Sequence, residues 1–214
     1  MWRALTLCVV AVFDTLLPRH PRATRARILS DEDIADLATP TVLPGHPWIH
    51  ALLPYHDERV RSLVQAVKYY GERSVGDKVA PFAADYLTEL VAEARALSGW
   101  ENVVLAPIPS SAARLRERGY NQAALFARAI ADRMPDVTYD DTLLTREDRT
   151  SQVHIARSQR KANMQGAFRA HSRARGRFVI LIDDVTESGA TLSDARRALL
   201  SSGALDVLAI AIAH

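Results

Sequence analysis

Two adjacent carboxylates, Asp183 and Asp184, stand directly after the apolar run Phe178 to Ile182, and Thr186, Ser188, Gly189 and Thr191 follow closely behind them. Acids in this place can accept hydrogen bonds from sugar hydroxyls or interact with a hydrated divalent cation, which takes oxygen ligands. The residues behind them suit the opposite charge. Backbone N–H groups at a helix N-terminus point at an anion, a glycine lets the chain come close to it, and Ser188 and Thr191 add O–H donors. Asp183 and Asp184 would repel a phosphate, so the pattern predicts a ligand with two ends. The acids take a sugar, and the stretch from Thr186 through Ala190 to Thr191 takes a phosphoryl group; a ribose 5-phosphate satisfies both. Acids that merely end a strand and a Thr191 that merely caps a helix account for any two of these features, but not for all of them in this order.

A turn of this kind needs a strand before it and a helix behind it. Phe178 to Ile182 is a continuous apolar strand, Asp183 to Ala190 a polar turn, Thr191 to Ser202 a helix with Gly203 as its stop, and Val207 to Ile212 another buried strand. Such a βαβ unit makes the strands parallel and puts a ligand at their carboxyl ends. Upstream, Val60, Leu63, Val64 and Val67 recur at helical spacing from Glu58 and stop before Gly71, and Val79 to Leu97 predicts a second, longer helix. Val103 to Ala106 reads as a strand halted by Pro107 and Pro109. A helix is expected from Tyr120, with Phe126 and Ile130 on its apolar face and Pro135 beyond it. Residues 18–54 carry Pro18, Pro21, Pro40, Pro44, Pro47 and Pro54, which predicts an extended or loosely helical leader with a turn or two of helix at Asp31 to Leu37. The fold class is α/β.

The 214 residues are 48% apolar and 24% charged, which excludes a disordered chain and a membrane bundle. Cys8 is the only cysteine, so neither an internal disulfide nor a thiolate zinc cluster can form, as expected of a cytoplasmic protein. Asp14 interrupts the apolar stretch Ala4 to Leu17, no small-residue cleavage site follows, and spanning takes about 20 apolar residues, so no membrane is expected. Net charge is +2, yet residues 145–177 hold nine lysines and arginines against Glu147 and Asp148. That block either lies solvated or faces a polyanion.

The run VILIDDVTESGAT, Val179 to Thr191, resembles the phosphoribosyl-pyrophosphate signature of type I phosphoribosyltransferases. YHDERVRSLVQAVKYYG (Tyr55 to Gly71), APIPSSAARLRERGYNQA (Ala106 to Ala123) and the spaced Gln152, Arg160, Asn163 and Phe168 narrow the resemblance to the ComF family of competence- and gluconate-associated proteins. The string Arg118-Gly119-Tyr120-Asn121-Gln122 is its most telling element. The resemblance implies a central, mostly parallel sheet flanked by helices, with a small hood and a flexible loop. It also implies phosphoribosyl pyrophosphate as ligand and Mg²⁺ as cofactor, held by Asp183 and Asp184 directly or through water. Pyrophosphate would lie at Pro107 to Ser111, with Pro109, Ser110 and Arg118 as binding residues and Arg114 and Arg116 close by. Arg suits that task through its two-pronged hydrogen bonding. The basic excursion would bring Arg146, Arg160 or Lys161 towards the leaving group, with Gln152 and Asn163 fixing the loop. The acceptor would be a nitrogenous base or an amine. A ribosyl cation-like state needs negative charge near the ribose and basic groups on the pyrophosphate, and no covalent nucleophile, which leaves Cys8 to packing. Association with DNA uptake and the competence machinery leaves a second reading: a non-catalytic protein that binds the sugar pyrophosphate or single-stranded DNA. The chain offers no aromatic-rich strand for stacking bases.

Two departures from the family pattern stand out. Glu187 occupies a position that usually holds Thr or Ser, where a carboxylate disfavours a phosphate unless it points outward or towards the acceptor, and in the latter case it is a candidate general base. Relatives commonly open with a cysteine-rich zinc module, whereas Leu16-Leu17-Pro18 is followed by no cysteine, and His20, His46, His50 and His56 do not replace it. The expected division is a 1–54 extension in place of that module and a 55–214 phosphoribosyltransferase-like domain.

Overall fold

The computed structural model describes residues 29–70, 73–147 and 166–214. Its elements run α1 (Asp31–Leu37), β1 (Thr41–Leu43), β2 (His46–Leu53), α2 (Glu58–Tyr70), α3 (Arg73–Ser98), β3 (Val103–Pro107), α4 (Ala112–Arg118), α5 (Gln122–Ala131), β4 (Thr138–Tyr139), β5 (Leu144–Arg146), β6 (Phe168–Ala170), β7 (Phe178–Val185), α6 (Ala190–Ser201) and β8 (Asp206–Ala213). Six strands form one sheet in the order β1-β2-β8-β7-β3-β4, parallel except for β1, while β5 and β6 make a separate antiparallel ribbon. This is a mixed α/β protein with a mostly parallel central sheet flanked by helices.

Parallel strands buried on both faces read as unbroken apolar runs, and β7 shows why. Ile180 and Ile182 point into one core with Leu63, Leu87 and Phe126 from α2, α3 and α5, whereas Val179 and Leu181 point into a second core with Leu192 and Leu199 from α6. The two cores fix both sides of the strand that ends at Asp183 and Asp184.

The leader reading of residues 18–54 is corrected over its described part. The short helix at Asp31–Leu37 is present, closed by a reciprocal cap in which Asp33 N–H donates to the Ser30 hydroxyl (3.1 Å) and Ser30 N–H donates to the Asp33 carboxylate (2.7 Å). Beyond it, β2 lies parallel to β8 with Ile49 opposite Ala209 and Leu53 opposite Ala213, so this stretch is part of the main sheet. The helix expected from Val79 begins earlier, at Arg73, and runs through Pro81. Proline has no N–H to return to the carbonyl four residues back. Here the freed Asp77 carbonyl accepts from the Arg133 guanidinium (3.4 Å). Asp183 and Asp184, assigned to the turn, belong to the last residues of β7.

Cys8, the apolar stretch Ala4 to Leu17, and Arg149, Gln152, Arg157, Arg160, Lys161 and Asn163 lie outside the described residues. Among the described residues no helix is long and apolar enough to cross a membrane.

Candidate functional site

At the carboxyl end of the sheet, β3 and β7 run side by side from Val103 opposite Phe178 to Pro107 opposite Ile182. The pairing continues one step further, because Ile108 N–H donates to the Ile182 carbonyl (2.8 Å). The two loops that follow, 108–111 and 183–189, therefore leave the sheet together. Between them lies a cleft of about 230 Å³ lined by Pro109, Ser110, Arg114, Asn121, Asp183, Asp184 and Thr191, with Arg146 reaching in from β5. The structure thus brings together Asp183, Asp184, Thr191, Pro109 and Ser110, and of the arginines named beside them it places Arg114 and Arg146 on the same cleft.

Asp183 is 9% exposed. Burial, and then the Asp184 carboxylate beside it, push its carboxyl well above the ordinary carboxylate value, while Arg114 pulls the other way. One oxygen of Asp183 accepts from Asp184 N–H (3.0 Å), and one oxygen of Asp184 accepts from Val185 N–H (2.9 Å). A buried carboxyl held high in this way gains from any positive charge or hydroxyl donor that enters the cleft. Two adjacent hard oxygen donors fit Mg²⁺, which is commonly held by one or two carboxylates plus substrate phosphates. Among the described residues no three carboxylate, His or Cys side chains gather as a metal site.

The turn behind the acids is built from its own residues. Thr186 N–H donates to the Ala213 carbonyl (3.1 Å), the His214 ring donates to the Thr186 carbonyl (3.0 Å), and the Thr186 hydroxyl accepts from Gly189 N–H (3.2 Å). Thr186 is buried, so its hydroxyl shapes the turn and does not line the cleft. Gly189 adopts φ +68, and a Cβ there would sit 2.8 Å from Ile49 Cδ1 and 2.9 Å from Leu43 Cδ2. Glycine is required at this position because the β1–β2 hairpin packs beneath it. Ala190 opens α6 and Thr191 sits in its first turn, where N–H groups lack helical partners and attract an anion. Glu187 and Ser188 are exposed and do not line the cleft.

The string Arg118 to Gln122 braces the opposite wall. Gly119, at φ +79, ends α4 with its N–H on the Leu115 carbonyl (2.8 Å). Tyr120 donates to the Val67 carbonyl of α2 (2.7 Å), tying the loop to the core. Asn121 donates to the Ile108 carbonyl (2.9 Å) and accepts from the Ser110 hydroxyl (3.0 Å), so it holds the 108–111 loop in shape while lining the cleft itself. The sequence placed Asn121 in the string that carries the resemblance but gave it no role. Arg116 and Arg118 do not line the cleft; of the three arginines of α4 only Arg114 does.

No family model matches the chain. The DNA utilization protein YhgH of Salmonella typhi is 30% identical over 134 residues, 61% of this chain and 58% of that protein. The protein of the same name from Shigella flexneri is 32% identical over 91 residues, 42% of this chain and 40% of that one. The chain thus spans about 40–58% of the length of these curated relatives. Among solved structures, a hypoxanthine phosphoribosyl transferase of Trypanosoma cruzi matches 64% of this chain and 62% of its own at 15% identity and a TM-score of 0.35. An allosteric regulatory enzyme of purine biosynthesis matches 54% of this chain and 23% of its own at 19% identity and a TM-score of 0.34.

Proposed function

We propose that the cleft binds 5-phosphoribosyl-1-pyrophosphate with Mg²⁺, and that the chain transfers the phosphoribosyl group to a nitrogenous acceptor. The observation that carries this reading is the shared cleft: the Asp183–Asp184 strand end, the first turn of α6 at Thr191 and the Pro109–Ser110 loop with Arg114 face one space. Asp183 and Asp184 accept hydrogen bonds from the ribose hydroxyls, and the Thr191 end of the turn donates to the 5-phosphate. Ser110, Arg114 and Arg146 take the pyrophosphate. Asp183 and Asp184 would hold Mg²⁺, which would supply positive charge to the departing group. During transfer the bond from ribose C1 to the pyrophosphate oxygen breaks with its electron pair going to pyrophosphate, and the acceptor nitrogen lone pair forms the new bond. The negative charge of the two acids beside the ribose stabilises the cation-like state between these events.

Glu187 is exposed on the turn outside the cleft lining, so it takes the acceptor's proton only if the acceptor sits over the rim of the cleft. Glu187→Gln is expected to leave affinity for the sugar pyrophosphate unchanged and to slow transfer about 100-fold, the usual size of a general-base contribution. A variant with full turnover removes Glu187 from the mechanism.

The relatives' name, DNA utilization protein, points towards DNA and supports carrying a second reading, binding of single-stranded DNA without transfer. Against it, part of the basic block is neutralised within the protein, since Arg169 pairs with Glu147 and Arg173 with Asp140. One screen separates the two readings. Pyrophosphate release, measured across a panel of amines and bases, supports transfer. Absence of release from every acceptor, together with DNA affinity that falls steeply with added salt, supports the second reading and overturns the first.

A further inference from the structure

Asp194 is a buried carboxylate with no place in the ligand cleft, its side chain only 3% exposed. A charge so buried is costly unless hydrogen bonds satisfy it. Its two oxygens accept from consecutive backbone N–H groups, Gly166 (2.8 Å) and Ala167 (2.8 Å), and it pairs with Arg197 one turn along α6. A carboxylate that holds two successive amides fixes both the position and the direction of the chain it holds. That chain is the start of β6.

What β6 carries explains why its placement matters. Phe168 stands opposite Arg146 in the β5–β6 ribbon, and the Arg146 guanidinium carbon lies 5.5 Å from the centre of the Phe168 ring, within cation–π range. Glu147 N–H donates to the Ala167 carbonyl (2.9 Å), closing the ribbon at the same end. Arg146 in turn lines the cleft with Asp183, Asp184 and Thr191. One helix, α6, therefore holds Thr191 in its first turn and, three residues on, the carboxylate that anchors the ribbon bearing Arg146.

We propose that Asp194 is a positioning residue that sets Arg146 over the cleft by clamping Gly166 and Ala167 so that the Phe168 ring supports the guanidinium. The consequence for binding rests on the reading of the cleft as a sugar-pyrophosphate site; the placement of Arg146 does not. Loss of the clamp should free the arginine while leaving the turn at Thr191 intact, so pyrophosphate affinity suffers and sugar-phosphate affinity does not.

Two measurements on the full chain test this. In the ¹⁵N-labelled protein the Arg146 Nε–H signal, identified by its loss in Arg146→Lys, is expected away from the averaged arginine position. In Asp194→Asn it is expected to collapse to that position, in Phe168→Leu to lose its ring-induced shift, and in Arg197→Ala, which spares the clamp, to stay in place. An Arg146 signal identical in Asp194→Asn and the unaltered protein overturns the proposal; should the Asn chain fail to fold, Asp194→Ser, smaller and with an acceptor, is read the same way. In the second measurement, affinity for inorganic pyrophosphate with Mg²⁺ is expected to fall about tenfold in Arg146→Ala and in Asp194→Asn, and no further in the double variant, with ribose 5-phosphate affinity unchanged. Additive losses, or equal losses for both ligands, overturn it. If the unaltered protein binds neither anion, the reading of the cleft fails, and the Arg146 signal alone decides the positioning.

Discussion

Asp183→Asn is expected to make the protein more stable at neutral pH and to weaken its hold on the sugar pyrophosphate about 100-fold. Both effects come from one fact: the Asp183 carboxyl is buried beside Asp184 and held well above its ordinary value of 3.8. In the unfolded chain it ionises near that ordinary value, so between there and its raised folded value the native state binds the extra proton. Stability is therefore full below about 3.8 and declines as pH rises through the folded value. Asn has nearly the same shape, still accepts from Asp184 N–H and never ionises, so it removes this decline. The melting-temperature gain of the variant should be largest at neutral pH and shrink as pH falls towards 4, at about 2–4 °C per kcal/mol for a chain of this size. Ligand affinity moves the opposite way, because hydrogen bonds to a charged group contribute about 1.5–3 kcal/mol. A variant destabilised at pH 7, or more stable by the same amount at every pH, would contradict this account of Asp183.

Gly189→Ala is expected to cost about 2–5 kcal/mol and to remove ligand binding. The left-handed backbone contributes about 1–2 kcal/mol of this. Forcing a methyl against Ile49 and Leu43, both closer than 3.0 Å to its place, contributes about 1–3 kcal/mol more as overpacking. Gly45 provides the control. It has a similar φ of +78 but nothing within 4 Å of the added Cβ, so Gly45→Ala should show the backbone part alone. Thermal melts of the two variants separate the contributions, and equal melting temperatures would mean that the β1–β2 hairpin does not press on the turn. The binding loss follows because a displaced Gly189 disturbs the Thr186 hydrogen bond and shifts the start of α6.

The elements that build the turn were legible because physics and pattern agree there. The strand β7 is apolar without a break since both its faces are buried, and Gly203 stops α6 where the sequence places the stop. The strand β2 was hidden by Pro47 within it and by Pro44 and Pro54 on either side. Pro47 lies in the irregular part of β2, before pairing with β8 begins at Ile49, where no ladder N–H is required, so it does not forbid the strand. The ribbon of β5 and β6 has three residues in each strand and α4 buries none of its side chains, so neither leaves a period to read. Within the site, the acids and Thr191 could be chosen from residue type and order. Asn121 could not, because its function lies in bridging Ser110 and Ile108, a contact made only once α5 packs beside β3. Thr186 carries the residue type of a ligand donor, yet its hydroxyl turns inward to Gly189.

The central claim is that one cleft grips a ribose by its hydroxyls at Asp183 and Asp184 and by its phosphate at Thr191. Titration calorimetry of 5-phosphoribosyl-1-pyrophosphate into the full chain tests it directly, with and without Mg²⁺. The expected result is one-to-one binding that weakens at least about tenfold when the metal is chelated and vanishes when Asp183, Asp184 and Thr191 are replaced together in a chain that still folds. Binding of undiminished strength in that triple variant would contradict the account.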